Sequence, residues 1–304
     1  MRLWLGIGMF GLLTVTGLVP ASVSRQAGTD HQQTVQWILQ LQVEQGGFLP
    51  FPPPAGQKEP LRPSLRATSG AVRALQYLKT PVPQVERHRR FVMSCYDASS
   101  GAFAEPGGQP DVIITSIGVL AAVALQIPPK EYASVWNYLQ RQAKTFEEIR
   151  LAAAAVEALG VKNCPFDLKP WIDQANQVAA EASRSDPVDG ARDLGSAAAL
   201  ILRLNHPVPE SLRLEWSQYL RQGQRADGGW GKKAAKEADL ETTYRVLRAL
   251  VHLESQPRDL AALERFVAAH RTKQGAYAVS RGEPPSLSGT YYAAAILHWL
   301  SRWK

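Results

Sequence analysis

Charged side chains stand near the starts of several otherwise apolar segments, and they are the residues best placed to do chemistry. Arg66, Glu147, Glu148, Arg192, Asp193 and Glu241 occupy the fourth, fifth or neighbouring positions of these segments, and Lys232 lies in a loop feeding the same end with Arg62, Lys233, Lys236 and Arg281. Cations gathered where helix N-termini converge can hold a diphosphate or another acidic headgroup. The same residues can instead neutralise one another, because buried charges need partners. Tyr244, Tyr291 and Tyr292 follow a turn further in. They could stack on a ligand or shield a carbocation, or simply pack a wall. A pair drawn from Glu147, Asp193 and Glu241 could serve as acid and base on a glycoside, although acids are also favoured in a helix's first turn by its dipole. The six histidines are scattered, and no Ser-His-Asp set, CxxC or phosphate loop is present.

Six segments of equal length must position these residues. They run over 63–78, 110–125, 144–159, 189–204, 238–253 and 285–300, and they align without gaps. Their second position is Ser64, Asp111, Thr145, Gly190, Asp239 or Ser286. Five of the six are residues whose side-chain oxygen can cap a first-turn amide, and Thr145 with Glu148 fits a capping box. Alanine and leucine fill much of the rest, which predicts six buried helices, apolar nearly all round. A more amphipathic helix precedes each: Gln33–Gln42, His88–Tyr96, Tyr132–Ala143, Pro170–Ala182, Leu212–Gly223 and Ala261–Arg271. Four of these end in a glycine-aromatic turn, at Phe48, Phe103, Trp230 and Tyr277, where glycine can take the left-handed conformation. Six hairpins in a row suit an all-α double ring, with an open solenoid as the alternative. One domain over residues 28–304 is expected.

The stretch Gln224-Arg-Ala-Asp227-Gly228-Gly229-Trp230-Gly231 resembles the QW-type repeat of squalene and oxidosqualene cyclases, and equally the Gly-Gly-aromatic repeat of protein prenyltransferase β subunits. Gln42-Val-Glu-Gln45-Gly46-Gly47-Phe48 is a weaker copy. The resemblance implies an α/α toroid (an α6/α6 barrel) whose central cavity, in relatives, holds an isoprenoid.

It also implies where chemistry would sit. Prenyltransferase β subunits bind zinc through an Asp-x-Cys at the start of the fifth inner helix and a His at the start of the last. Those positions fall on Asp239, Glu241 and Gly289. Only the first keeps its ligand, so no metal or other cofactor is expected. Cyclases use an Asp-x-Asp-Asp run whose middle acid protonates an alkene. Asp239-Leu240-Glu241-Thr242-Thr243 offers Glu241 for that task, if burial holds it protonated. Asp239 and Glu241 are therefore the catalytic candidates. Arg66, Arg192, Asp193, Glu147, Lys232, Tyr244 and Tyr291 are the ligand-binding candidates.

Arg2 precedes an apolar run from Leu3 to Val19 and then Pro20-Ala21-Ser22-Val23-Ser24. This reads as an export signal over residues 1–24, or as a membrane anchor if it stays uncleaved. The net charge of +7 favours anionic small molecules or contact with a membrane surface, while no nucleic-acid motif accompanies it. Cys95 and Cys164 fall on opposite faces of the hairpin layout, on the order of 20 Å apart, so both are expected as free thiols. Three functions remain open. The first is an exported toroid binding an apolar or acid-headed, isoprenoid-like ligand or a protein partner, without zinc chemistry. The second is a divergent prenyltransferase- or cyclase-type enzyme using Asp239 and Glu241. The third is a carbohydrate-active toroid.

Overall fold

The computed structural model describes residues 21–53, 56 and 61–303. The expected export signal lies outside them except for residues 21–24, which form the start of the first described helix. No helix among the described residues is long and apolar enough to cross a membrane.

Among the described residues, twelve α-helices alternate between two rings. The outer helices are α1 (Ala21–Gln40), α3 (Val85–Ser94), α5 (Val135–Gln142), α7 (Lys169–Ala182), α9 (Glu210–Gln222) and α11 (Leu260–Ala269). The inner ones are α2 (Leu65–Tyr77), α4 (Val112–Ala124), α6 (Phe146–Leu159), α8 (Pro187–Arg203), α10 (Leu240–His252) and α12 (Leu287–Leu300). Each inner helix packs on the next, and α12 packs back on α2, so the ring closes rather than opening into a solenoid. Thr34 Oγ1 seals the outer seam by donating to the Gly275 carbonyl at 2.6 Å. The core fills the space between rings, with Ile38, Leu75, Leu139, Leu194, Leu220 and Leu263 all buried. Full burial of each such side chain contributes about 1.5–3 kcal/mol.

The caps explain where the inner helices start. Ser64, Asp111, Thr145, Asp239 and Ser286 each accept a first-turn amide, and Thr145 with Glu148 forms the reciprocal capping box. The fourth start differs from the alignment. Asp186, not Gly190, caps α8, with Pro187 in the first helical position where its missing N–H costs nothing. Gly190 lies inside the helix, where a Cβ would meet the Tyr219 hydroxyl at 2.1 Å.

The glycine-aromatic turns join the rings. Phe48, Phe103 and Trp230 are fully buried and Tyr277 nearly so. Each aromatic residue's backbone N–H donates to a threonine hydroxyl on the following inner helix: Phe48 to Thr68, Phe103 to Thr115, Trp230 to Thr243 and Tyr277 to Thr290, all at 3.0 or 3.1 Å. All four threonines hold the sixth aligned position. The third and fourth repeats have Ile149 and Leu194 there and lack the turn. Tyr96–Asp97 and Ala102–Phe103 pair as a minimal antiparallel ribbon at one such turn. Gln224 supplies the polar part of its motif: its side-chain amide donates to the Gly228 and Asp259 carbonyls and accepts from the Asp259 amide, fastening the turn to the start of α11.

Cys95 is buried, Cys164 is partly buried, and both are free thiols.

Candidate functional site

The six inner helices enclose a cavity of about 580 Å³ on the ring axis. Its lining follows the alignment closely: side chains come from the fourth, seventh, eighth, eleventh, fourteenth and fifteenth positions of the segments, with Leu200 of α8 added at the twelfth. That spacing is one face of an α-helix. On several helices this face is charged, so the inner helices are not apolar all round as expected. Arg66 and Arg73 come from α2, Glu147, Arg150 and Glu157 from α6, Arg203 from α8, and Glu241, Arg245 and Arg248 from α10. Alanines and leucines on the other faces had masked the stripe in the overall composition.

The cavity is two-sided. From α4 it receives Ile113, Ile117, Leu120, Val123 and Ala124, an aliphatic wall running the full depth. In a ring of six, α4 faces α10, which presents Glu241, Tyr244, Arg245 and Arg248. An apolar surface thus confronts a polar one across the axis.

The charges form two clusters. Near the helix N-termini, Arg245 donates to Glu147 through two nitrogens, at 2.7 and 3.2 Å, and to Glu241 at 2.5 Å. Glu147 also accepts from Arg150 at 2.9 Å. Arg192 lies 3.7 Å from Glu241 and 3.6 Å from Asp193. Burial alone would push Glu147 up, but the hydrogen bonds from Arg245 and the Arg150 charge hold it down at about 2. Glu241 moves the same way: burial opposes, and Arg245, then Arg192, keep its carboxyl below the usual range. An alkene-protonating acid needs the reverse shift. Deeper in the cavity, Glu157 receives Arg248 at 2.9 Å and faces Arg203 at 3.5 Å and His252 at 3.8 Å.

Between the clusters lie the aromatics. The Tyr244 and Tyr291 hydroxyls share a hydrogen bond at 2.8 Å. Trp299 stacks on Tyr244 with centroids 5.3 Å apart, and the Arg73 guanidinium sits 4.5 Å over the Tyr291 ring. Burial opposes ionisation of Tyr244, yet the guanidiniums of Arg248 and Arg73 bring it down to about 8. Tyr291 is driven well above its ordinary value by burial.

The candidates from sequence divide accordingly. Arg66, Glu147, Glu241, Tyr244 and Tyr291 line the cavity. Asp239 does not: one oxygen accepts the Thr242 amide and the other the Thr242 hydroxyl, each at 2.8 Å. Arg192 stands behind the lining, paired with Glu241, and the Asp193 side chain is largely exposed. Lys232 lies on an exposed loop outside the cavity, where its carbonyl accepts from Arg225. Arg281, expected at the same rim, pairs with Asp227 instead. Arg73, Arg150, Arg203, Arg245, Arg248, Glu157 and Tyr77 also line the cavity and were missed. Their signal was available, since in the alignment they repeat the spacing of Arg66, Glu147 and Glu241.

The three positions that carry zinc ligands in prenyltransferase β subunits have other surroundings here. Asp239 is spent on its own helix, and Glu241 is ion-paired. Gly289 has no donor, and a Cβ there would lie 2.4 Å from the Tyr277 carbonyl oxygen.

The sequence matches the model of the prenyltransferase α/α toroid domain over residues 4–153 and 195–304. The unmatched interval falls mainly between the third and fourth inner helices, where the repeat has lost its turn signature. No curated protein matches the chain. Among solved structures, a protein from Actinoplanes is similar at 14% identity and TM-score 0.57, covering 90% of this chain and 98% of its own. The apo type II terpene cyclase MstE from Scytonema is similar at 10% identity and TM-score 0.62, covering 91% and 98%. A variant of that cyclase, solved with its substrate geranylgeranyl dihydroxybenzoate, gives 10% identity and TM-score 0.61, covering 93% and 99%. These identities speak to the fold alone. The family match spans most of the chain and meets a closed ring of six hairpins, and the protein belongs to the prenyltransferase α/α toroid family.

Proposed function

We propose that this toroid binds an amphipathic, acid-headed small molecule in its central cavity and works without the zinc chemistry of protein prenyltransferases. The observation that carries the reading is the aliphatic wall of α4 facing the Tyr244–Arg248 stripe of α10 across a cavity of about 580 Å³. An apolar tail would lie along the first and an anionic head against the second. The Scytonema cyclase was solved with a geranylgeranyl chain carried on a dihydroxybenzoate. A ligand of that general kind, an isoprenoid tail with an acid head, suits the lining here. The ionised state of Glu241 weighs against a cyclase-type proton transfer from that residue. The apolar N-terminal run supports export, so the ligand would be met outside the cytoplasm or at a membrane surface.

Native mass spectrometry with metal analysis, on protein purified from the exported fraction, tests this. A metal-free chain carrying a co-purified isoprenoid or other amphipathic acid is the expected result. One zinc per chain, lost on substituting Asp239 or Glu241, would overturn it in favour of a divergent transferase. An empty, metal-free chain that instead carries a stoichiometric protein would move the function to a protein partner.

A further inference from the structure

Accepting that the cavity takes an acid-headed ligand, its charges say where the head goes and how much charge it carries. At the N-terminal end, the lining arginines Arg150 and Arg245 are matched by Glu147 and Glu241, with Arg192 and Asp193 adding one of each sign behind them. Arg66, at the mouth, is exposed. Deeper in, three guanidiniums face a single carboxylate: Arg203 and Arg248 share Glu157, and Arg73 has no acid within ion-pair distance among the described residues. His252 adds no charge at neutral pH, since burial and Arg248 hold it down at about 4. Arg73 and Arg248 stand at the same, eleventh, aligned position, seven residues past Glu147 and Glu241, or about 10 Å further down the axis. Arg73 packs over the face of Tyr291 with no acid partner among the described residues, and Arg248 Nε is buried without an acceptor. Half-buried guanidiniums left in this state are strongly favourable partners for an anion.

We infer that the ligand enters head first and seats a doubly charged headgroup, of the phosphate-monoester kind, between Arg73 and Arg248 beside the Tyr244–Tyr291 pair, with its tail running back along α4 toward the mouth. The excess of two positive charges at this depth is what a dianion matches. One phenol donates to the other, and the remaining hydroxyl is a donor for the same oxygens. The rim, where sequence alone pointed to anion binding, is left to mutually paired charges and the exposed Arg66.

Calorimetric titration with farnesyl monophosphate, farnesoate and farnesol tests the assignment on wild type, Arg73→Met and Arg66→Met. The monophosphate is expected to bind wild type more tightly than farnesoate, with farnesol weakest. Arg73→Met should weaken the monophosphate at least about tenfold while changing farnesol by less than about twofold, and Arg66→Met should weaken the monophosphate less than Arg73→Met does. If Arg66→Met weakens the monophosphate and Arg73→Met does not, the head sits at the rim and this inference fails while the cavity reading stands. Farnesoate binding as tightly as the monophosphate would overturn the dianion. No binding of any probe to wild type would overturn both readings.

A second readout needs no variant. Tyr244 faces Arg73 and Tyr77 from α2, Arg203 from α8, Arg248 on its own helix, and Tyr291 and Tyr292 from α12. A dianion seated among them must raise its pKa from about 8. Adding the monophosphate just above that pH should therefore suppress the tyrosinate absorbance; an unchanged spectrum at saturating probe places the head elsewhere.

Discussion

Arg245 reaches from α10 to the Glu147 carboxylate of α6 at 2.7 Å, although α8 stands between these helices in the ring. The contact is a brace across the cavity mouth rather than a bond between neighbours. Arg245 is nearly buried and also holds Glu241, so one guanidinium satisfies two carboxylates from different helices.

Removing it exposes the cost of that arrangement. Arg245→Met leaves Glu147 and Glu241 facing each other, with Arg150 and Arg192 as their remaining partners. Because Glu147 is about half exposed and keeps Arg150, the expected loss is about 2–3 kcal/mol, below the full penalty of an orphaned buried charge. Urea unfolding would report it as a lower midpoint with an unchanged slope. The double variant R245M/E241Q, which leaves Arg150 with Glu147 and Arg192 with Asp193, should recover most of the loss. If it remains as unstable as the single variant, charge imbalance is not the cause.

The four threonine-aromatic bonds make a second, independent prediction. Thr243→Val keeps the shape but strips the acceptor from the buried Trp230 amide, 3.0 Å away. An unsatisfied buried N–H costs about 1–3 kcal/mol, and Thr243→Ser should restore most of it. Substituting Val for Ile149, at the same aligned position in a repeat without the turn, should cost no more than a lost methylene. Equal losses at both sites in thermal unfolding would refute a specific role for the hydroxyl.

These bonds also show what was legible in the sequence. The caps at Ser64, Asp111, Thr145, Asp239 and Ser286, and the buried aromatics of the glycine turns, could be read because each needs a residue type with few substitutes. Ring closure could not, because it rests on contacts between the two ends of the chain, such as Thr34 with the Gly275 carbonyl. The helix ends were hidden for another reason. The residue after the inner-helix C-cap takes the left-handed conformation at Lys79, Gln126, Asn205 and Glu254, where glycine would have been the readable signal. For the site, attention to the first turn found Glu147 and Glu241 but passed over Arg73, Arg245 and Arg248. Those lie on the same helix face further along, and their charges look solvent-facing until six helices are closed around them.

Restoring the zinc ligands of the wider family should fail here for a steric reason. Gly289→His introduces a Cβ against the Tyr277 carbonyl at 2.4 Å and the Ala278 carbonyl carbon at 2.9 Å, backbone atoms that cannot rotate away. Combined with Glu241→Cys, it also removes one carboxylate from Arg245 and Arg192. The double variant is expected to lose at least about 2 kcal/mol of stability by overpacking and to bind no zinc by metal analysis after dialysis. Stoichiometric zinc in a stably folded double variant would mean that the turn at Tyr277 yields, and that the family's site is only two substitutions away.

His252 provides the pH dependence. Burial first, then the Arg248 guanidinium, lowers its imidazole to about 4 from an ordinary 6.5, with Glu157 opposing and Arg203 and Arg213 reinforcing the shift. Between those two values the unfolded chain binds a proton that the folded one does not. Stability must therefore fall as pH drops from about 6.5 toward 4. The side chain is one-quarter exposed, so the contribution is put at about 1–2 kcal/mol, below the full linkage value. Other histidines shift in the same direction, among them His88 and His270, so the test is a difference. His252→Gln, compared with wild type by denaturant unfolding across this range, should unfold with a shallower dependence on pH. Parallel curves for the two proteins would mean that His252 is protonated in the folded state and that Glu157, not Arg248, governs it.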